Sequence, residues 1–195
     1  MPEALTLGFD TSAAHCAAAL LSGEQLIALR VEDMAKGQAE RLMPLIGDLL
    51  AEAGITWRDL SLIGVGTGPG NFTGIRIAVA AARGLSLSLN IPAIGIGTPE
   101  ALAFGLPRPC RIIIPGKRDT VIWQDFTDIP SEPQQSPLDA LPPGPPEATP
   151  QVSIAEGIAR LARARAGTPQ PRPAPIYLRP VDAAPARDRG PVILP

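Results

Sequence analysis

The sequence predicts an α/β fold, a mixed sheet with helices packed on it. Three observations carry that prediction. The first 32 residues hold three short apolar runs separated by polar breaks. From residue 38 the apolar spacing changes to three and four. Strand-type and helix-type runs then alternate as far as residue 96.

Leu5 to Phe9 is short and apolar, of β-strand length, and Asp10-Thr11-Ser12 follows at once. Cys16 to Leu21 and Gln25 to Val31 are two further runs split by Ser22-Gly23, which reads as a hairpin. Leu42, Leu45, Ile46, Leu49 and Ala53 recur on one face of an amphipathic helix. Pro44 lies inside that pattern, so the regular helix is expected to begin near Arg41 or to kink there. Gly54 suits the position after its end. Leu60 to Gly66 is the next strand candidate. A glycine-rich segment, Gly66-Thr67-Gly68-Pro69-Gly70-Asn71-Phe72-Thr73-Gly74, leads from it into a helix over 75–89. That helix places Ile75, Val79, Ala82 and Ser86 on one side, and its alanines make it slender. Ile91 to Ile96 is a further strand. Thr98 then serves as N-cap and Pro99 as first residue of a short helix.

The second half has a different composition. Only four of the 24 prolines precede Thr98. Arg111 to Ile114 and Thr120 to Phe126 read as a strand pair, and 130–150 as a proline-rich loop. Ser153 to Ala166 reads as a helix with arginines near its C-terminal end. The expected organisation is an N-terminal lobe over 1–98, a smaller C-terminal lobe over 99–180 and an extended tail over 181–195.

Composition narrows the function classes. The formal net charge is −2, whereas a stand-alone nucleic-acid binder normally carries a basic surplus. Aromatic residues make up 4% of the chain, too few for a base-stacking platform. Cys16 and Cys110 lack metal-ligand spacing and fit buried thiols of a reduced, cytoplasmic protein. No apolar stretch approaches the length of a membrane span, and the first residues do not have the form of a signal peptide. His15 is the only histidine, so neither a metal site nor a Ser-His-Asp arrangement can be assembled around it. No catalytic residue, metal or cofactor is expected.

The glycine segment supports two readings. A tight turn could let a helix dock on the sheet, or backbone N–H groups at a helix start could cradle a phosphate. It is neither a P-loop nor a dinucleotide fingerprint. Asp10, Thr11 and Ser12 could hold a hydrated metal and a phosphate, or form a solvated turn. Together with Gly68, Gly70 and Asn71 they are the candidate nucleotide or phosphate site. Arg76 and Arg83, seven residues apart, fall near one stripe of the helix and form either a solvated face or a partner surface.

Three segments resemble the TsaB family, also called YeaZ: Leu7 to Ser12, Gly37 to Pro44, and Gly66 to Arg83 with its Gly-Pro-Gly-x-Phe-Thr-Gly-x-Arg core. Pro175 to Pro180 resembles that family's C-terminal signature. The match is good over 4–105, poor in the middle and brief in the tail. The resemblance implies a two-lobed fold of the actin/Hsp70/sugar-kinase class, ribonuclease H-like, with the second lobe reduced. It implies a non-catalytic scaffold that binds the paralogue TsaD, joined by the ATPase TsaE. The product is threonylcarbamoyladenosine next to the anticodon of tRNAs reading codons that start with A. It also implies an interface on the helices near 38–53 and 73–89, here Gln38, Arg41, Leu42, Leu45, Phe72, Ile75, Arg76, Val79 and Arg83, which an isolated chain could use to form a homodimer. The chain departs from the family in two places. Pro115-Gly116-Lys117 stands where many members carry Asp-Ala-Arg, and Gln38 stands at the position of a frequent histidine.

Three rival readings remain open at this point. One is an ATPase or phosphotransferase using Asp10 and the glycine loop. Another is a peptidase, which lacks ligands and an activated nucleophile. The third is direct tRNA contact through Arg160, Arg163, Arg165, Arg172 and Arg179.

Overall fold

The computed structural model describes residues 3–178. Among these residues eight strands form two sheets, accompanied by four α-helices. The first three strands, β1 (Leu5–Asp10), β2 (His15–Ser22) and β3 (Gln25–Asp33), form an antiparallel meander. Helix α1 (Gln38–Glu52) leads to β4 (Leu60–Gly66), which pairs parallel with β1. Helix α2 (Phe72–Leu89) then leads to β5 (Ala93–Ile96), parallel with β4. The sheet order is β3-β2-β1-β4-β5. This is the expected α/β architecture with a mixed sheet.

Both faces of this sheet are covered. On one, Leu42, Leu45, Ile46 and Leu49 of α1 and Ala78 and Ala82 of α2 pack against Leu7, Phe9, Ala18, Leu20 and Val65. On the other, α4 (Ile154–Ala164) sets Ala155, Ile158 and Ala162 against Ala17, Ala19, Leu62 and Ile94. The approach of α4 is close: a Cβ on Gly8 would stand 2.4 Å from the Ala155 carbonyl oxygen, so β1 must carry glycine there. The expected division at residue 98 therefore does not follow the packing. The chain leaves the first sheet after α3 (Thr98–Leu102), builds a second sheet, and returns to the first with α4.

The second sheet runs β6 (Cys110–Pro115), β7 (Thr120–Phe126) and β8 (Gln134–Pro137), all antiparallel. Strand β8 lies inside the stretch expected to be a proline-rich loop. Its four residues, Gln-Gln-Ser-Pro, carry no apolar alternation, and the ladder to β7 alone defines it. Arg111 is 5% exposed and stabilises this sheet. Its guanidinium bonds both Asp125 oxygens and the Pro142 carbonyl, and it sits 4.5 Å from the Trp123 ring centroid.

Other boundaries shift modestly. Helix α1 starts at Gln38 and runs through Pro44, whose ring lies on the exposed side. It ends in a Schellman pair, with Gly54 N–H donating to Ala51 and Ile55 N–H to Leu50. Gly97, not Thr98, caps α3. Ser153 caps α4, its hydroxyl accepting from Glu156 N–H. Helix α2 has the length and composition to cross a membrane, yet its inner stripe is packed on the sheet. The expected tail over 181–195 lies outside the described residues.

Candidate functional site

The end of β1 and the glycine segment after β4 meet at the edge of a cleft of about 700 Å³. Ser12, Gly70, Asn71 and Thr98 line it from the first sheet, and Lys117 from the second. The candidate phosphate residues are thus brought together, but their polar groups are largely spent on one another. Buried Asp10 accepts through one oxygen from Ser12 N–H and Ser12 Oγ, both at 2.8 Å, and that oxygen lies 2.7 Å from His15 Nε2. Its other oxygen has no hydrogen-bond partner among the described residues. Thr11 Oγ1 donates to the Gly74 carbonyl at 2.7 Å.

The glycine segment takes the same inward form. Asn71 N–H donates to the Ser12 carbonyl, and the Asn71 side chain accepts from Thr73 and Gly74 N–H. Two of the first-turn donors that could cradle an anion, those of Thr73 and Gly74, are taken by this cap. A Cβ on Gly74 would stand 1.8 Å from the Thr11 carbonyl oxygen. The segment forms a tight turn that lets α2 close against the β1 loop. The cap also explains why α2 begins at Phe72 rather than near residue 75.

Sequence reasoning missed the pairing of His15 with Asp10. The signal was available: these residues flank the four-residue turn between two antiparallel strands, which brings them side by side. Cys16 points the opposite way into the core, and burial, reinforced by Glu32, pushes its thiol up to about 11.

The nine expected interface residues divide sharply. Ile75 and Val79 are 0% and 3% exposed and lie within the chain's own core. Leu42 and Leu45 are equally buried, and Gln38 is turned inward to the Ala13 and Met34 carbonyls. These five assignments are corrected: their side chains serve the fold. Arg41 spends its guanidinium on Glu32 and Asp48, and the hydrogen bond to Arg41 draws the Glu32 carboxyl below its ordinary range. Phe72, Arg76 and Arg83 are exposed. With Ala80 and Leu87 they form an outward stripe at spacings of four, four, three and four, one line along a helix.

The C-terminal signature anchors at the start of this stripe. Ile176 N–H donates to the Thr67 carbonyl. Tyr177 stacks on Phe72 at 5.0 Å between centroids, and Arg76 both donates to the Tyr177 hydroxyl and covers the Phe72 ring at 3.7 Å. The other arginines named for tRNA are largely neutralised. Arg160 bonds Glu156, Arg163 bonds Glu24 and Arg165 bonds Glu100. Arg172 is exposed, and Arg179 lies outside the described residues.

A two-sheet α/β chain with a slender helix over a glycine turn defines a class before it defines a protein. A family model described as "TsaD: tRNA N6-adenosine threonylcarbamoyltransferase" matches residues 32–138, more than half of the chain. The chain belongs to the family that this model describes, and within it the relatives that it resembles carry the TsaB and YeaZ names. It is 40% identical over 99 residues to the "tRNA threonylcarbamoyladenosine biosynthesis protein TsaB" of Buchnera aphidicola subsp. Schizaphis graminum, covering 51% of this chain and 47% of that protein. It is 30% identical over 125 residues to the protein of the same name in Escherichia coli, covering 62% of this chain and 54% of that one. YeaZ from Pseudomonas aeruginosa superposes with a TM-score of 0.73 at 25% identity, covering 90% of this chain and all of that one. The chain spans about half of the length of these curated relatives.

Proposed function

We propose that this chain serves tRNA threonylcarbamoyladenosine biosynthesis in the cytoplasm as a non-catalytic scaffold. It docks the transferase TsaD through the outer stripe of α2, and the ATPase TsaE joins the complex. The observation that carries this reading is the stripe itself. Phe72, Arg76, Ala80, Arg83 and Leu87 present apolar and guanidinium groups to the outside, and the small Ala80 at the centre lets a facing helix come close. The names of the curated relatives support the pathway, since they describe biosynthesis proteins of this nucleoside. In isolation the same stripe would pair two copies of the chain.

Depletion of the protein, followed by nucleoside analysis of cellular tRNA, tests the pathway. Threonylcarbamoyladenosine should fall, and an undiminished level would refute the assignment. Assaying the purified chain for ATP turnover tests the non-catalytic role. Turnover that Asp10→Asn abolishes would replace it with the phosphotransferase reading.

A further inference from the structure

A groove of about 790 Å³ lies beside the start of β5, at Pro92, Ala93 and Ile94, away from the cleft, and Pro173 closes it off at Gly95. Strand β5 is a sheet edge, paired with β4 alone. Ile63 N–H donates to the Pro92 carbonyl and Thr67 N–H to the Ile96 carbonyl. Alternation therefore turns Pro92, Ile94 and Ile96 toward β4, and the N–H and C=O of Ala93 and Gly95 toward the open side. Neither residue makes a backbone hydrogen bond beyond the sheet among the described residues.

One wall of the groove is the end of α2, with Arg83, Leu87 and Asn90. The other is the segment after α4, with Thr168, Gln170 and Arg172. No Asp or Glu lines it among the described residues. Arg83 Nε donates to the Pro173 carbonyl at 2.8 Å, which steadies the guanidinium while its Nη groups have no hydrogen-bond partner among the described residues. Arg172 makes no ion pair among the described residues, and Leu87 is 86% exposed.

We propose that this groove receives an extended, acidic segment of a partner protein, which adds to the free edge of β5 as a sixth strand. An edge offers alternating donors and acceptors to an incoming strand and is a hazard when left bare. Guanidinium groups favour carboxylates with paired hydrogen bonds, and Leu87 gives one apolar contact. A nucleic acid fits less well. Two arginines without carboxylate partners among the described residues, on a chain of net charge −2, neutralise few phosphates.

The probe is a fluorescein-labelled peptide alternating Glu and Val, titrated into the full chain by fluorescence anisotropy. Saturable binding is expected, weakened at least about tenfold by Arg172→Glu. Ala93→Pro should weaken it similarly, because it removes an outward N–H and leaves the β4 ladder intact. The groove borders the α2 stripe at Arg83 and Leu87, but Arg172 and Ala93 lie off the stripe, so TsaD docking should be unchanged in both variants. No binding at millimolar chain concentration, or equal binding by wild type and both variants, overturns the proposal. So does binding of a poly(U) oligonucleotide, lost in Arg172→Glu, when the peptide does not bind. If Ala93→Pro does not fold, amide exchange at Ala93 of the unaltered chain decides: protection by the peptide is expected, and an unchanged rate overturns the proposal.

Discussion

The two sides of α2 are built from similar residues and have opposite fates. Ile75, Ala78, Val79 and Ala82 face the sheet and are buried. Phe72, Ala80 and Leu87 look no less apolar, yet they face outward with Arg76 and Arg83. Composition does not distinguish the sides; the tight turn does. The Thr11–Gly74 contact and the Asn71 cap set the rotation of the helix at its first turn, and every later side chain follows. A surface left apolar by that rotation is a candidate for a partner, whereas the inner stripe is not.

The largest test of this contrast is charge on the inner face. Ile75→Glu buries a carboxylate without a partner and should cost more than about 4 kcal/mol, seen as loss of the folded baseline in urea unfolding. Ala80→Glu should unfold at nearly the wild-type midpoint. The second sheet provides an independent comparison. Arg111→Ala leaves Asp125 unpaired and uncovers Trp123, and should cost about 3 kcal/mol. That loss should appear in thermal unfolding without touching TsaD affinity. On the outer stripe, Phe72→Ala removes one stack and one cation–π contact, with a folding cost of about 1 kcal/mol. Its effect on TsaD affinity should be larger than its effect on stability.

The smallest effects are in titration. Hydrogen bonds hold Glu24, Glu32 and Asp59 below their ordinary range, through Arg163, Arg41 and Thr56 respectively. Their stabilisation is complete above the unfolded values of 4.5 and 3.8 and is lost as pH falls through the lower folded ones. Cys16 works in the other direction. With its thiol raised from 9.0 to about 11, stability should decline as pH rises across that window. Melting curves across both ranges check the signs.

The sheet was largely legible in the sequence. Strands β1 to β4 and the helix period of α1 are two-sided packing patterns, and such patterns follow from side-chain spacing alone. Strand β8 was not legible, because Gln134 to Pro137 is specified by pairing and not by hydrophobic alternation. The return of α4 to the first sheet was hidden for another reason: an amphipathic helix announces a buried face without naming the surface it covers. The interface was read too broadly. Leu42 and Leu45 already lay on the apolar face of α1, and the core claimed them. For α2 the spacing gave the stripes but not the rotation, which depends on a contact 63 residues apart in the chain.

Calorimetric titration of TsaD with Ala80→Trp measures the central claim most directly. The bulky ring stands where a facing helix needs room, on a surface that leaves the fold untouched. Affinity at least about tenfold weaker with an unchanged unfolding midpoint is the predicted result. Wild-type affinity in that variant would contradict docking through the outer stripe of α2.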